Sequence, residues 1–234
     1  MGSYVTIEQR GDLAVLRLDR PPANALVPEV LDEFDQAREQ LLADEPRAVV
    51  VTGRQGYFSA GVDLKVAPTL DAEGQRAMVD GINQLVIGWY GFPRPVVAAV
   101  TGHAIAGGMV IALCADYRVG ASAGKLGLTE LKVQVPYPVG AIAIVQAELS
   151  PPAARALVLR SHLVEADEAL RLGMVDELAG PEEVFERACD VAAEMAEFSG
   201  ESYTRTKLDL RGATLRRIEA AVEAGDPLAQ AWLS

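Results

Sequence analysis

Residues 99–110, Ala99-Val100-Thr101-Gly102-His103-Ala104-Ile105-Ala106-Gly107-Gly108-Met109-Val110, decide how the chain is read. An apolar run over 95–100 has the profile of a buried strand. It enters a loop of small residues that opens a helix over 107–115. Two glycines at a helix start leave backbone N–H groups without intrahelical partners, beside the positive end of the helix dipole. A developing oxyanion placed there is steadied, and one such donor is worth roughly 3–4 kcal/mol in some enzymes. Taken alone, a tight helix–sheet contact that needs glycine accounts for the segment equally well.

The same rhythm occurs on both sides. Upstream, Ala48-Val49-Val50-Val51-Thr52 is a short apolar run closed by Gly53, followed by Gly56-Tyr57-Phe58-Ser59-Ala60-Gly61-Val62-Asp63-Leu64. Small residues around Gly61 let a ligand approach the backbone, although a structural turn explains the segment about as well. Downstream, 117–120 reads as a strand, and Leu126-Gly127-Leu128-Thr129-Glu130-Leu131 carries a carboxylate inside an apolar run. Burial raises a carboxyl pKa and makes it a better base. In isolation, Glu130 reads as a helix start or a surface residue.

Nearer the N-terminus, 4–9 and 13–18 form a hairpin around Arg10-Gly11-Asp12, and Arg20-Pro21-Pro22 stops its second strand. Met1 to Thr6 fits a loose myristoylation pattern, but 4–7 reads better as the start of that strand. A helix is expected over 27–42 from Val30, Leu31, Phe34, Ala37 and Leu41. The small, polar stretch 66–80 reads as a mobile excursion near the site, followed by a helix over 82–90 that Gly91-Phe92-Pro93 ends. Strand, helix and strand recurring at roughly 45-residue intervals suggest a stacked, solenoid-like α/β core. From Glu182 onward the pattern is helical. Val184, Ala188, Val191, Ala192 and Met195 form one apolar stripe and Leu215, Ile218 and Val222 another, each suited to another subunit or to the chain's own core.

Composition removes several classes of function. The 234 residues carry 21 basic and 33 acidic side chains, a net charge of −12. Such a surface repels nucleic-acid phosphates and anionic lipid, so neither is expected as a partner. An anionic small ligand needs a local basic patch, for which Arg54, Lys65 and Lys207 are candidates beside their plain reading as solvated charges. Cys114 and Cys189 form no disulfide framework or zinc pattern and read as reduced, buried thiols. No basic region followed by an apolar run opens the chain, no uninterrupted apolar stretch has membrane-spanning length, and a cytoplasmic protein is expected. His103 and His162 lack the spacing of metal ligands, so no metal site is expected, and the Gly-x-Ser-x-Gly motif of a serine nucleophile is absent.

Taken in order, the three glycine- and carboxylate-bearing segments resemble the signature segments of the enoyl-CoA hydratase/isomerase family, the crotonases. Arg20-Pro21-Pro22-Ala23-Asn24-Ala25-Leu26 resembles that family's first coenzyme A segment. The resemblance implies an α/β fold: a spiral core of repeated ββα turns over 1–180 that binds acyl-CoA, and a helical C-terminal region over 181–234 that trimerises. It further implies homotrimers or hexamers made of paired trimers. Backbone N–H groups of Val62 and Gly107 are implied as the oxyanion hole, with Ala23, Ala25, Ala60, Asp63 and Leu64 near the coenzyme A moiety. No permanently bound cofactor is implied; coenzyme A enters as part of the substrate thioester.

The chain departs from the family's hydratases at two places. Hydratases set two glutamates on either side of a water; one of those positions is Glu130 here, and the other is Val110, whose isopropyl group cannot hold water. One glutamate facing an oxyanion hole suits the family's Δ3,Δ2-isomerase chemistry, and an apolar Val110 beside the substrate would keep Glu130 desolvated. Hydration of a 2-enoyl-CoA and non-catalytic acyl-CoA binding are the alternatives. The second departure is Val135-Pro136-Tyr137-Pro138-Val139-Gly140, in place of a glycine-rich segment. Two prolines stiffen it, and Tyr137 either points its hydroxyl toward the substrate or packs. His103 belongs near the site in a structural role.

Overall fold

Gly11, at a φ of 60°, closes the turn between β1 (Val5–Arg10) and β2 (Leu13–Leu18), which pair antiparallel in the register Val5 to Leu18. This is a computed structural model, and it describes residues 3–198 and 200–230. Met1 and Gly2, and with them the start of the myristoylation pattern, lie outside the described residues, as do 231–234 at the end of the helical region. Three apolar runs then add to β2 in parallel: β3 (Ala48–Thr52), followed in the chain by the short β4 (Gly56–Ser59), β5 (Val96–Val100), followed by β6 (Gly102–Ile105), and β7 (Tyr117–Ala121), followed by β8 (Lys125–Gly127). The odd-numbered strand of each pair joins one sheet and the even-numbered strand joins another. β9 (Leu163–Glu165) and β10 (Glu177–Ala179) finish the two sheets, whose orders are β1-β2-β3-β5-β7-β10 and β4-β6-β8-β9. Parallel strands require a crossover, and the helices provide it.

These helices are α1 (Pro28–Asp44), α2 (Ala72–Tyr90), α3 (Gly107–Leu113), α4 (Val139–Glu148), α5 (Pro151–Arg160), α6 (Ala166–Arg171), α7 (Val184–Ala196) and α8 (Glu201–Glu223). Pro28 starts α1, where its missing N–H costs no hydrogen bond. α2 corrects the sequence reading. It begins at Ala72 rather than near 82, and Asp71 caps it by accepting the Gly74 N–H at 2.8 Å. Most of 66–80 is therefore helical, with a 3-10 turn at Ala67–Thr69 before it. Its first turns are largely exposed, so no apolar stripe announces them; burial begins at Met78 and Val79. Among the described residues no helix is long and apolar enough to cross a membrane.

The larger sheet is buried on both faces, which is why its central strands read as continuous apolar runs. Leu16, Val49, Val51, Ala98 and Val100 face a core shared with α1, α2, α3 and α4. Val15, Val50, Val97, Ala99 and Val119 face Val184, Ala188, Val191 and Ala192 of α7. The first C-terminal stripe is thus filled by the chain's own sheet, and Leu215 and Ile218 of the second are buried in the first core. Leu208 and Leu210 stay exposed on α8.

A charged clamp fixes α8 to the strand ends. Asp116 takes Lys207 at 2.7 Å and Arg211 at 2.9 Å, with both cations buried and the carboxylate nearly so, and also accepts the Val96 N–H at 2.8 Å. Arg211 donates onward to the carbonyls of Tyr90, Cys114 and Ala115. Lys207 therefore does not belong to a basic patch, and Arg54 is paired with Asp19 at 2.6 Å. Both cysteines are free and buried, and burial pushes the Cys114 thiol up to about 12.

Replacing Asp116 with Asn leaves two buried cations without a counter-charge, and urea unfolding should show a loss of about 3–5 kcal/mol. Burial lowers the Lys207 pKa from 10.5 to about 8, against the pull of Asp116. Between those values the unfolded chain binds more protons, so this group's contribution to stability rises with pH across that window. Lys207→Met should remove that rise.

Candidate active site

Asn24 organises the first wall of the site. It is fully buried at a φ of 52°, and its amide donates to the carbonyls of Leu18 at 2.9 Å and of Tyr57 and Phe58 at 3.1 Å. Ser59 returns a hydroxyl bond to the Asn24 carbonyl at 2.7 Å, and the Ala60 N–H reaches the Ala23 carbonyl at 3.0 Å. These bonds lay 23–26 alongside 58–63. A single parallel bridge completes the join: Leu26 N–H donates to Gly61 at 2.8 Å, and Asp63 N–H donates to Leu26 at 2.9 Å. In a parallel bridge the residue between those two points its own N–H the other way. That residue is Val62, and its N–H meets no protein acceptor among the described residues.

The second wall is the start of α3. Ala106 sits at φ 52° and ψ −124°, an unusual conformation for a side-chain-bearing residue, held by its N–H bond to Gly127 at 2.8 Å. The Gly107 N–H likewise has no protein acceptor among the described residues. The walls touch backbone to backbone. A methyl group on Gly61 would lie 2.8 Å from the Ile105 carbonyl oxygen and 2.9 Å from the Gly107 nitrogen, and one on Gly108 would lie 2.7 Å from the Ser59 carbonyl carbon. A methyl group on Gly107 would lie 4.0 Å from the Val62 nitrogen. Glycine is therefore required by space at Gly61 and Gly108, and the close approach of the two walls brings the free N–H groups of Val62 and Gly107 to one cavity.

Val62 and Gly107 line a cavity of about 170 Å³ with Ala60, Leu64 and Glu130. Its other walls are apolar, including Ile82, Ile105, Val135 and Ala141; Thr129 and Glu130 are the only polar side chains among the described lining residues. Glu130 opens a short 3-10 turn after β8 and is 9% exposed, and its Oε2 is sealed without a hydrogen bond. Burial raises its pKa to about 6, opposed in part by the Tyr137 phenol. No cation contributes. A larger hollow between the ends of α1 and α8, about 680 Å³, is an open surface groove lined by Leu41, Pro93, Arg94 and Leu208, with none of the loop glycines that converge here.

Five expected site residues thus share one cavity: Ala60, Val62, Leu64, Gly107 and Glu130. Ala23, Ala25 and Asp63 do not line it. Arg20 links the last two, donating to the Ala25 carbonyl at 3.2 Å and pairing with Asp63 at 2.9 Å. Burial raises the Asp63 pKa, but the Lys65 N–H and Arg20 outweigh it and hold the carboxyl below its usual range. Val110 is buried within α3, and Tyr137 also lies behind the cavity surface, its hydroxyl enclosed. His103 packs on Tyr57 in a tilted arrangement, ring centres 4.8 Å apart, and accepts the Lys125 N–H at 3.1 Å, a structural role in joining β6 to β8. Among the described residues no group of three potential ligands could hold a metal.

Asn83 and Asp226 escaped the sequence reading. Asp226 is 4% exposed; it accepts the Val139 N–H at 2.9 Å and the Asn83 amide at 3.0 Å, while Asn83 accepts the Gly140 N–H at 2.9 Å. Together they cap α4 where the 135–138 loop meets the cavity. One signal was present: Pro138 stands at the N-cap of α4 and has no side-chain acceptor, so a distant group had to supply one.

Comparison with known proteins agrees with this architecture. The family model described as enoyl-CoA hydratase/isomerase matches residues 8–230. A putative enoyl-CoA hydratase of Thermus thermophilus is 38% identical over 204 residues, covering 85% of this chain and 80% of the relative. A crystal structure of the probable enoyl-CoA hydratase EchA3 of Mycobacterium tuberculosis superposes with a TM-score of 0.90 at 31% identity, covering 97% of both chains. Human mitochondrial Δ3,Δ2-enoyl-CoA isomerase gives a TM-score of 0.90 at 28% identity, covering 94% of this chain and 88% of that one. The α/β fold of ββα repeats expected from the sequence is the fold found.

Asp226→Ala leaves the Val139 N–H and the Asn83 amide without their acceptor. It should cost about 3 kcal/mol in denaturant unfolding and speed hydrogen exchange of the 135–142 amides. Unchanged exchange there would mean that the cap does not hold the loop.

Proposed function

Because the chain belongs to the enoyl-CoA hydratase/isomerase family, we propose that it shifts the double bond of a 3-enoyl-CoA to the 2 position. The carrying observation is a single buried carboxylate, Glu130, in an apolar cavity with two unbonded backbone N–H groups. In this reading Val62 and Gly107 donate to the thioester oxygen. Glu130 removes a proton from C2, and the resulting dienolate is held by the two donors. The same carboxyl group then returns the proton to C4. A pKa of about 6 suits both halves: near neutral pH the group is mostly ionised, yet its acid form is easily reached.

Apolar walls at Leu64, Ile82 and Ala141 suit an aliphatic acyl chain, and the buried Val110 offers no second carboxylate. We place the coenzyme A moiety along Ala23, Ala25, Ala60, Asp63 and Leu64. Assembly as trimers, alone or paired, through the 181–234 region and in the cytoplasm completes the proposal. Exposed Leu159, Leu163 and Leu210 are consistent with faces that another subunit would cover.

Hydration is the second reading, favoured by the description of the Thermus relative as a hydratase. It needs a partner to hold water, and Thr129 is the only other polar side chain of the described cavity wall. An acyl-CoA binder without turnover is the third.

Turnover of 3-hexenoyl-CoA and crotonyl-CoA by the wild type and Glu130→Gln separates them. Isomerase activity should fall by about 10²–10⁴-fold in the variant, with little hydration by either protein, and its acid limb in the wild type should lie near pH 6. Efficient hydration of crotonyl-CoA would overturn the isomerase assignment. Acyl-CoA affinity with no turnover of either substrate would leave the binder.

A further inference from the structure

Two polar atoms at the loop end of the cavity are buried without a hydrogen bond: Glu130 Oε2 and the Tyr137 hydroxyl. Buried polar atoms are seldom left unpaired, because each forfeits its hydration. The chain between them is held at several points. Gln134 adopts a left-handed conformation at φ 58°, and the Val135 N–H returns to the Glu130 carbonyl at 3.1 Å. Pro136 and Pro138 restrict the backbone on both sides of Tyr137, and the next N–H, that of Val139, is taken by Asp226 at 2.9 Å. The reversal carries Tyr137 back toward the residue that begins the turn. Each group perturbs the other: the phenol favours the ionised carboxylate, while burial and then the carboxylate raise the phenol above its ordinary value. That mutual effect marks the two groups as neighbours, although neither atom closes a hydrogen bond of proper geometry.

We infer that Tyr137 is a positioning residue for Glu130, its hydroxyl donating to Oε2 so that the carboxyl cannot rotate and Oε1 alone faces the reacting carbons. This rests on the isomerase reading for its chemical meaning, since one oxygen must serve both C2 and C4. Tyr137 does not line the cavity, so it acts through Glu130 and not on the substrate. Thr129, the other polar side chain on the wall, has no titratable proton in the working range. Neither Lys132 on the same turn nor His162, next to the Ser161 that accepts the Lys132 N–H, perturbs the carboxyl; Tyr137 is the one titratable side chain that does.

The test pairs two readouts in the wild type and Tyr137→Phe. The first is the titration of the Glu130 carboxyl carbon by NMR in protein with ¹³C-labelled glutamate, its resonance identified by its loss in Glu130→Gln. The second is the pH profile of kcat and KM for 3-hexenoyl-CoA. The variant removes only a hydroxyl oxygen that closes no hydrogen bond among the described residues, so the fold should be retained. The carboxyl titration and the acid limb should both move up by about one pH unit. On the plateau, kcat should fall about tenfold with KM little changed. An unmoved carboxyl titration would overturn the inference and leave Tyr137 as packing. If the wild type fails to turn over 3-hexenoyl-CoA, the isomerase reading fails, and the NMR titration still decides whether the tether exists.

Discussion

Backbone must touch backbone between the loop at Gly61 and the start of α3 at Gly107 and Gly108. A single methyl group at Gly61 or Gly108 would fall within 3 Å of the facing main chain. Everything at the site depends on that contact. It lets the Val62 and Gly107 N–H groups converge, because the two main chains lie closer than side chains normally permit. It also joins the two sheets, since the loop follows β4 and α3 follows β6. The repeated strand–strand–helix unit is the means by which this contact is built: each repeat leaves one sheet, enters the other and ends at the same cavity.

Electrostatics at the two buried acid centres point in opposite directions. Asp116 is surrounded by Lys207, Arg211 and a backbone donor, so its charge is compensated and its task is structural. Glu130 has no cation and one phenol, and burial raises its pKa to about 6 against the opposing pull of that phenol. A carboxylate held this way gains little from staying ionised. That makes it suited to accepting and returning a proton, whereas a compensated one is suited to holding a helix. The clamp and the base are therefore separated in kind as well as in place.

Several features were legible because they are properties of neighbouring residues. The apolar runs at 48–52 and 96–100, the glycines after them and the carboxylate at 130 carry their meaning locally. The reading of 66–80 failed because α2 starts on an exposed, polar face with its cap at Asp71 and its buried stripe only from Met78. Lys207 was mistaken for a surface charge for the same reason: its partner, Asp116, is 91 residues away and no local pattern pairs them.

By itself the sequence determined the strand–helix alternation, the glycines that allow close approach and the absence of a second carboxylate at Val110, since these follow from side-chain size, period and charge. Only the tertiary structure decided that the C-terminal stripes are covered by the chain's own sheet and core, that Asp226 caps α4 from a distance, and that the Tyr137 hydroxyl is enclosed beside Glu130. The physical reason is the same in each case. Burial and pairing depend on the path of the whole chain, and residues 87 apart, such as Val139 and Asp226, become partners only when that path has closed.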